Sequence, residues 1–245
     1  MSDQLDFVVR QLPDLLWGFP GNRPGGLLLS ILLSTGSIAV GLIVAIGLSF
    51  ARHSPRRAVA FVADRIVWLI RGVPLLVWLV LLFQILGTGR LFGIEFNAFW
   101  TAAVTLTLYA AAYLSDVVTT GITGVPQQLR DDARLLGAGS FSVARTITLP
   151  HALRTTRPGL ATQAITIFKD SSVVVVLGVA DLTTTARIAL GGDVSNAPFW
   201  VTTYLAVGLL YWCVAFAMSR LLQRPRGAEL YLPANRTSVR KQLLN

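Results

Sequence analysis

Four uncharged runs, each at least 18 residues long, constrain this chain more than any other feature of its sequence. They are Leu27 to Ala51, Gly72 to Gly89, Phe96 to Ser115 and Val194 to Ser219. A helix of about 20 apolar residues crosses a hydrocarbon core of about 30 Å, whereas the strands of a membrane barrel alternate in polarity and are only about 10 residues long. The runs therefore predict an all-α integral membrane protein.

The composition excludes a soluble domain of this size. Hydrophobic residues make up 53% of the 245 residues and charged residues only 13%, whereas soluble domains carry about 25% charged residues. The net charge of +9 would suggest nucleic-acid binding in a soluble protein, but here it is explained by basic loops, and no nucleic-acid partner is expected. The single cysteine, Cys213, excludes an intrachain disulfide and is expected to be a small core residue. No metal site is expected.

The distribution of arginine decides whether a fifth span exists. Basic residues cluster in the segments 51–65 and 121–158 and in the tail after Ser219. Cytoplasmic loops are enriched in Lys and Arg, so these three segments share the cytoplasm only if the chain also crosses the membrane between Pro158 and Asp181. The sequence therefore predicts five transmembrane helices with the N-terminus outside and the C-terminus in the cytoplasm. The predicted spans are about 27–51, 66–88, 96–118, 159–180 and 196–219.

The spans and their loops form a predicted transmembrane domain over residues 25–222, flanked by two shorter segments. Residues 1–24 lack the basic start of a secretory signal, and Phe7 to Phe19 is predicted to lie along the outer membrane surface as an interfacial helix. Residues 223–245 are predicted to form a polar cytoplasmic tail.

The basic loop 121–158 is long enough to be a functional element. Gln127 to Leu136 has a helix pattern, and Gly137 after it permits a left-handed turn. Ser140 is predicted to cap a second short helix, Phe141 to Ile147, which Leu149-Pro150 ends. The pattern predicts a helix–Gly–helix hairpin.

The hairpin is too small to bury its own apolar side chains. Those side chains are Leu135, Leu136, Phe141, Val143 and Ile147. We expect the hairpin to dock on another protein. Packing of the loop on the chain's own membrane helices is the alternative.

The same loop carries a motif. It consists of Asp131-Asp132-Ala133, then Gly137 after three residues, then Ile147-Thr148-Leu149-Pro150 after nine more. This spacing closely resembles the EAA motif of bacterial ABC importer permeases. Asp131-Asp132 stands where that family commonly has Glu-Ala. Further segments resemble the polar amino-acid permeases, the histidine/glutamate/aspartate group. These segments are Ile70 to Val77, Tyr113 to Asp116, Phe168 to Ser172 and Val179 to Thr183.

This resemblance implies a multi-pass permease of type I importer fold in a bacterial plasma membrane, in contact with membrane lipid. It implies a second permease subunit in a homodimer or heterodimer, two cytoplasmic ATP-binding subunits and an extracytoplasmic amino-acid-binding protein. The implied function is ATP-driven import of a polar amino acid or a related small solute. A self-sufficient channel or an ion-coupled secondary carrier is the alternative, and it would leave the docking hairpin unexplained.

The chain itself is not expected to be an enzyme. It contains no Gly-Lys-Ser/Thr sequence of the kind that cradles phosphates in a P-loop. No cofactor is therefore expected on this chain, and ATP and Mg would be used by the partner ATPase. The hairpin would receive the energy of hydrolysis. The expected ATPase-coupling residues are Asp131, Asp132, Ala133, Arg134, Gly137, Phe141, Arg145, Ile147, Leu149 and Pro150.

Two charges in the fourth span point to a substrate pathway. Lys169 and Asp170 each cost about 3 kcal/mol within the membrane and are expected to face inward. They share helical faces with Thr162, Gln163 and Thr166, and both signs of charge would suit an amino-acid zwitterion. The predicted pathway consists of Gln163, Thr166, Lys169, Asp170, Ser171 and Asp116.

The alternative for these charges is a structural ion pair, for instance with Asp116. Two other residues at the start of the second span are given structural roles. Pro74 is expected to kink that span, and Arg71 to extend to the cytoplasmic interface rather than to contact substrate.

The first prediction concerns topology. In a chain freed of Cys213, a cysteine placed at Arg187 should react with an impermeant thiol reagent in intact cells, because the connection after the fourth span is predicted to be outside. A cysteine at Arg145 should react only after the membrane is opened. External labelling at position 145 would overturn the orientation.

Overall fold

A computed structural model of the chain describes residues 2–19, 24–87, 95–192 and 194–222, and within these ranges the chain is built from helices. The α-helices are α1 (Ser2–Trp17), α2 (Gly26–Arg52), α3 (Arg57–Gly72), α4 (Leu75–Leu86), α5 (Ala98–Thr123), α6 (Gln127–Leu135), α7 (Ser140–Val143), α8 (Leu149–Thr155), α9 (Arg157–Asp170), α10 (Leu182–Gly191) and α11 (Trp200–Leu222). A π-helical segment, Ala144–Thr148, joins α7 to α8, and 3₁₀ segments lie at Ser171–Leu177 and Val194–Phe199.

Five elements have the length and hydropathy of membrane spans. Four are α2, α5, α11 and the combination of α9 with its 3₁₀ segment, Arg157–Leu177. The fifth is the pair α3 and α4, whose axes are bent by 106°. The predicted all-α fold with five spans is thereby confirmed. The predicted tail 223–245 and the loop residue Arg90 lie outside the described residues.

The packing of α2 against α5 forms the centre of the bundle. Small side chains of α2 are buried along one face, at Ser34, Ser37, Gly41, Ala45 and Ser49. They allow close approach of the two backbones, since a Cβ atom built on Gly41 would lie 2.8 Å from the Ala110 Cβ atom. The Ser49 hydroxyl donates across the interface to the Ser115 carbonyl at 3.0 Å.

The second span differs from the single kinked helix predicted over 66–88. Val73 and Pro74 both adopt extended backbone angles, and they separate α3 from α4. The proline ring disfavours the helical conformation for the preceding residue, which explains the extended Val73. The Trp78 indole N–H donates to the Ile70 carbonyl at 3.1 Å, so a carbonyl freed by the break is satisfied inside the protein.

The fourth span is also interrupted, because its α-helix ends at Asp170 and continues as a 3₁₀ segment to Leu177. Two local features disfavour the α-helix there. The Ser171 hydroxyl bonds to the Phe168 carbonyl at 2.7 Å, and residues 173–176 are four consecutive β-branched valines. Gly178 then ends the segment in a left-handed conformation, with φ of 69°.

At the end of the bundle where α2 begins, Asp181 ties several elements together. Its carboxylate accepts hydrogen bonds from the Thr183 and Thr184 N–H groups of α10 and from the Tyr211 hydroxyl of α11. Burial raises the pKa of the Asp181 carboxyl, and the Thr184 donors oppose that shift by favouring the ionised form. Helix α1 packs at the same end, with Leu15 fully buried against the core.

Cys213 lies on the exposed face of α11, so its predicted position in the core is wrong. Only Thr203 and Val207 of α11 are buried within the chain, so the helix packs along a narrow stripe and turns most of its surface outward.

The second prediction tests the α2–α5 contact. Gly41→Val should destabilise the detergent-solubilised protein by about 1–3 kcal/mol, because the added side chain would overlap Ala110 and the backbone around it. Gly47→Val is the matched control, since a Cβ atom at Gly47 on the same helix meets no neighbour within 4 Å. Equal melting temperatures for the two variants would show that α2 and α5 do not pack this closely.

Candidate functional site

The base of the hairpin is fixed to the membrane helix α5. Val143 and Ala152 are buried in the chain, and Ala152 packs with Val118 and Ile122 of α5. Gly121 makes this contact close, because a Cβ atom there would lie 2.8 Å from the Ala152 carbonyl oxygen. The base of the hairpin and α5 are therefore packed without space for a side chain between them.

The tip of the hairpin is apolar and exposed. Leu135, Leu136 and Phe141 are 86%, 89% and 79% exposed. The turn between them is made by Gly137, whose φ of 85° lies in the left-handed region that glycine adopts without strain. The Gly137 N–H bonds to the Arg134 carbonyl and the Ala138 N–H to the Ala133 carbonyl, so the end of α6 is capped by the turn itself.

The structure corrects three details of the predicted hairpin. Ser140 is the first residue of α7 and makes no capping hydrogen bond. The helical path does not end at Leu149-Pro150 but continues as α8 to Thr155. The π-helical turn before Pro150 has a wider path than an α-helix, which relieves the clash that proline makes with the carbonyl four residues earlier.

The third correction concerns the apolar residues predicted to dock. Val143 is buried within the chain and Ile147 is partly buried, so only the three tip residues are left uncovered. The charged residues of the motif lie outside the packed base. Asp132, Arg134 and Arg145 are exposed, and Arg134 approaches Asp131 at 3.6 Å. Ala133, Leu149 and Pro150 are partly buried.

A second site lies where the two interrupted spans meet α5. Arg71 is the last residue but one of α3, beside the break in the second span, and Asp170 is the last residue of α9, at the break in the fourth. Both helices pack against α5, where the Tyr109 and Tyr113 ring centroids lie 4.5 Å apart. The Arg71 guanidinium lies over the Tyr113 ring, 5.2 Å from its centroid. Interrupted backbone is tolerated at membrane depth only where it is buried in protein or lines a water-filled cavity.

Asp116 lies beside this site and is paired with two arginines, and its predicted part in the pathway stays a prediction. One carboxylate oxygen accepts a hydrogen bond from Arg52 at 2.7 Å and the other accepts from Arg71. The suggested pair between Lys169 and Asp116 is therefore not formed. Arg71 is held by Asp116 at the helix break, and its expected position at the cytoplasmic interface stays a prediction.

The remaining pathway residues divide into three groups. Lys169 is exposed, and Gln163, Thr166 and Asp170 are partly buried. The Thr166 hydroxyl bonds to the Thr162 carbonyl of its own helix at 3.1 Å. Ser171 is 1% exposed and bonds to the Phe168 carbonyl, and its place in the pathway stays a prediction.

Sequence reasoning missed Tyr109, Arg52 and the part that Arg71 plays. A signal for Arg71 was present, because a charged residue beside Gly72-Val73-Pro74 marks broken backbone inside a span. A signal for Tyr109 was its spacing of four residues from Tyr113 on one helix face. The pairing of Arg52 with Asp116 has no local signal, since 64 residues separate them.

The chain forms a bundle of five spans, two of which are interrupted beside charged side chains. An exposed hairpin is anchored on α5. These features are those of a membrane permease. Residues 37–225 match the family of binding-protein-dependent transport system inner membrane components. The chain belongs to this family, as its motifs predicted, and is a membrane-spanning permease subunit of an ABC importer.

Individual proteins of known type are also similar. The arginine transport system permease protein ArtQ of Bacillus subtilis is 28% identical over 88% of this chain and 93% of that protein. The inner membrane amino-acid ABC transporter permease protein YhdY of Escherichia coli is 30% identical over 81% of this chain, which spans 54% of that longer protein. A crystal structure of an amino acid ABC transporter with histidines matches with a TM-score of 0.68 and 27% identity, over 80% of this chain and 89% of that one.

Proposed function

We propose that this chain translocates polar amino acids in an ATP-driven importer and that the substrate binds between Arg71 and Asp170. The observation that carries the proposal is the placement of opposite charges at the breaks of two spans that both pack against α5. An amino acid carries a carboxylate and an ammonium group. Arg71 would receive the carboxylate and Asp170 the cationic group, each by a charge-assisted hydrogen bond.

The names of the relatives support the same class of substrate. Two of them are described as transporters of arginine or of amino acids, and the similar crystal structure is that of an amino acid transporter. Arg71 and Tyr113 provide a guanidinium and an aromatic face together, and their side chains already stack. A small zwitterion fits such a site better than an apolar solute, because it replaces the water that charged groups would otherwise keep.

The hairpin tip is the proposed docking surface for an ATP-binding subunit. Leu135, Leu136 and Phe141 are apolar side chains on a segment too charged to lie in hydrocarbon, so a protein partner is the surface that would cover them. Two such subunits and a second permease subunit would complete the importer. The close contact of Gly121 with Ala152 would carry a movement of the tip into α5, which also holds Asp116 and Tyr109.

We place the hairpin on the cytoplasmic side, because its loop is one of the three arginine-rich segments. The opposite end, formed by α1, α10 and the start of α2, then faces the outside of the membrane. That end would receive solute from an amino-acid-binding protein.

The third prediction tests the hairpin. Gly137→Val should lose most ATPase subunit in pull-downs, because valine is strained at a φ of 85° and the tip residues would move apart. Phe141→Asp should have the same effect by placing an unpaired charge in the interface. Both variants should still insert into the membrane.

The matched control is Gly139→Val. Gly139 lies in the same turn at a φ of −68°, and a Cβ atom there meets nothing within 4 Å. Normal ATPase yield and coupled transport in reconstituted vesicles for both Gly137→Val and Phe141→Asp would show that the tip is not the contact.

The fourth prediction tests the substrate site. Asp170→Ala should lower amino-acid uptake into vesicles by about tenfold or more, the loss expected for one hydrogen bond to a charged group. Lys169→Ala should also lower uptake, since its charge lies beside Asp170. Neither variant should lose the ATPase subunit.

Thr162→Ala is the control for a polar side chain on the same helix. Its hydroxyl bonds to the Pro158 carbonyl of its own helix at 3.0 Å, so uptake should remain near that of the unmodified protein. Normal uptake by both the Lys169 and Asp170 variants would place the substrate elsewhere.

A further inference from the structure

Arg52, the last residue of α2, joins three helices through one guanidinium group. Its Nε and Nη2 atoms donate to the same Asp64 oxygen of α3, at 3.1 and 2.9 Å. Its Nη1 atom donates to Asp116 of α5 at 2.7 Å and to the Thr119 hydroxyl at 3.4 Å. The Arg52 side chain is only 17% exposed. Its guanidinium group is therefore held between Asp64 on one side and Asp116 on the other.

The consequence for Asp116 is that both of its oxygens are occupied by arginine. Arg52 takes one and Arg71 the other. A carboxylate between two guanidinium groups is electrically compensated and offers little attraction to a further cation. Asp116 is therefore poorly suited to bind a substrate ammonium group, although it lies next to the proposed site.

Arg71, in contrast, keeps the capacity to bind an anion. It shares its counter-ion Asp116 with Arg52, and its side chain is 42% exposed. Some of its five N–H donors are therefore available to a ligand. If Arg52 were absent, Asp116 would be a full counter-ion for Arg71 alone. The net charge of Arg52, Asp116 and Arg71 together would then fall from +1 to 0.

We infer that Arg52 is a positioning residue that sets the charge preference of the importer: by compensating Asp116, it keeps Arg71 available to the substrate carboxylate and leaves Asp170 as the acceptor for a cationic group. This inference rests on the proposed function of the site around Arg71. It assigns selectivity to a side chain that does not itself contact the substrate.

The test is binding of three probes to the permease–ATPase complex in lipid nanodiscs, without the binding protein, so that the permease alone discriminates. The probes are L-arginine, L-glutamine and L-glutamate, measured by calorimetry. In Arg52→Met, the ratio of the L-arginine affinity to the L-glutamate affinity should rise by about tenfold or more, since one positive charge has been removed from beside the site and Asp116 then pairs with Arg71 alone.

The double variant Arg52→Met with Asp116→Asn supplies the decisive comparison. It removes one charge of each sign, so the affinity ratio should return to within about threefold of the unmodified value. If Asp116 instead bound the substrate cation directly, the double variant would lose L-arginine binding. This variant also leaves no unpaired carboxylate at position 116, so it serves if Arg52→Met alone does not assemble.

Asp64→Asn is the control for the structural part of the network. Asp64 is 57% exposed and its charge is screened by solvent, so this variant should leave the affinity ratio within about threefold of the unmodified value.

Two outcomes would count against the inference, and they are distinguishable. An equal loss of affinity for all three probes in Arg52→Met would show a merely structural role and overturn the inference alone. Failure of the unmodified complex to bind any probe would overturn the proposed function together with it.

Discussion

The cost of an unsatisfied backbone group in hydrocarbon decides where this chain can interrupt its helices. Each free N–H or carbonyl costs several kcal/mol in lipid, so a break persists only where other parts of the protein satisfy it. Trp78 does so for the Ile70 carbonyl at the second-span break. The fourth-span break keeps most of its bonds as a 3₁₀ helix. Both breaks must face protein or water, and the helices that carry the charged residues beside them both pack against α5.

Close packing of α2 on α5 makes that arrangement rigid. Gly41 brings the backbones together near the middle of the span, and Ser49 bonds across the interface further along. At the end of the same interface, Arg52 reaches over α5 to Asp116 and back to Asp64 of α3. The packing of α2 on α5 thus sets the distance between Arg52 and Asp116. The site around Arg71 and Asp116 lies next to these two packed helices.

The sequence predicts the spans well because membrane thickness and charge asymmetry act locally on the chain. The uncharged runs mark four spans, and the arginine distribution around Lys169 and Asp170 requires the fifth. The turn at Gly137 was predictable because only glycine takes the left-handed angle without strain. The family followed from the spacing around that glycine.

The candidate site was predicted less completely, because ion pairing depends on which helices are neighbours. Asp116 was selected as a charged residue in a span, yet its partners lie 64 and 45 positions away. Ser171 is predicted to lie in the pathway, but its hydroxyl bonds to the Phe168 carbonyl of the same span. The form of the second span was missed because Pro74 alone predicts a kink, whereas extended angles at both Val73 and Pro74 turn the helix axis by 106°.

The exposed tip of the hairpin also bears on how the subunit survives before assembly. Three large apolar side chains project into water on a turn that cannot fold back over them. Such a surface attracts other incompletely covered proteins and the chaperones and proteases that recognise them. In the proposed importer, a copy of this subunit without its partners would keep this surface uncovered and open to such proteases.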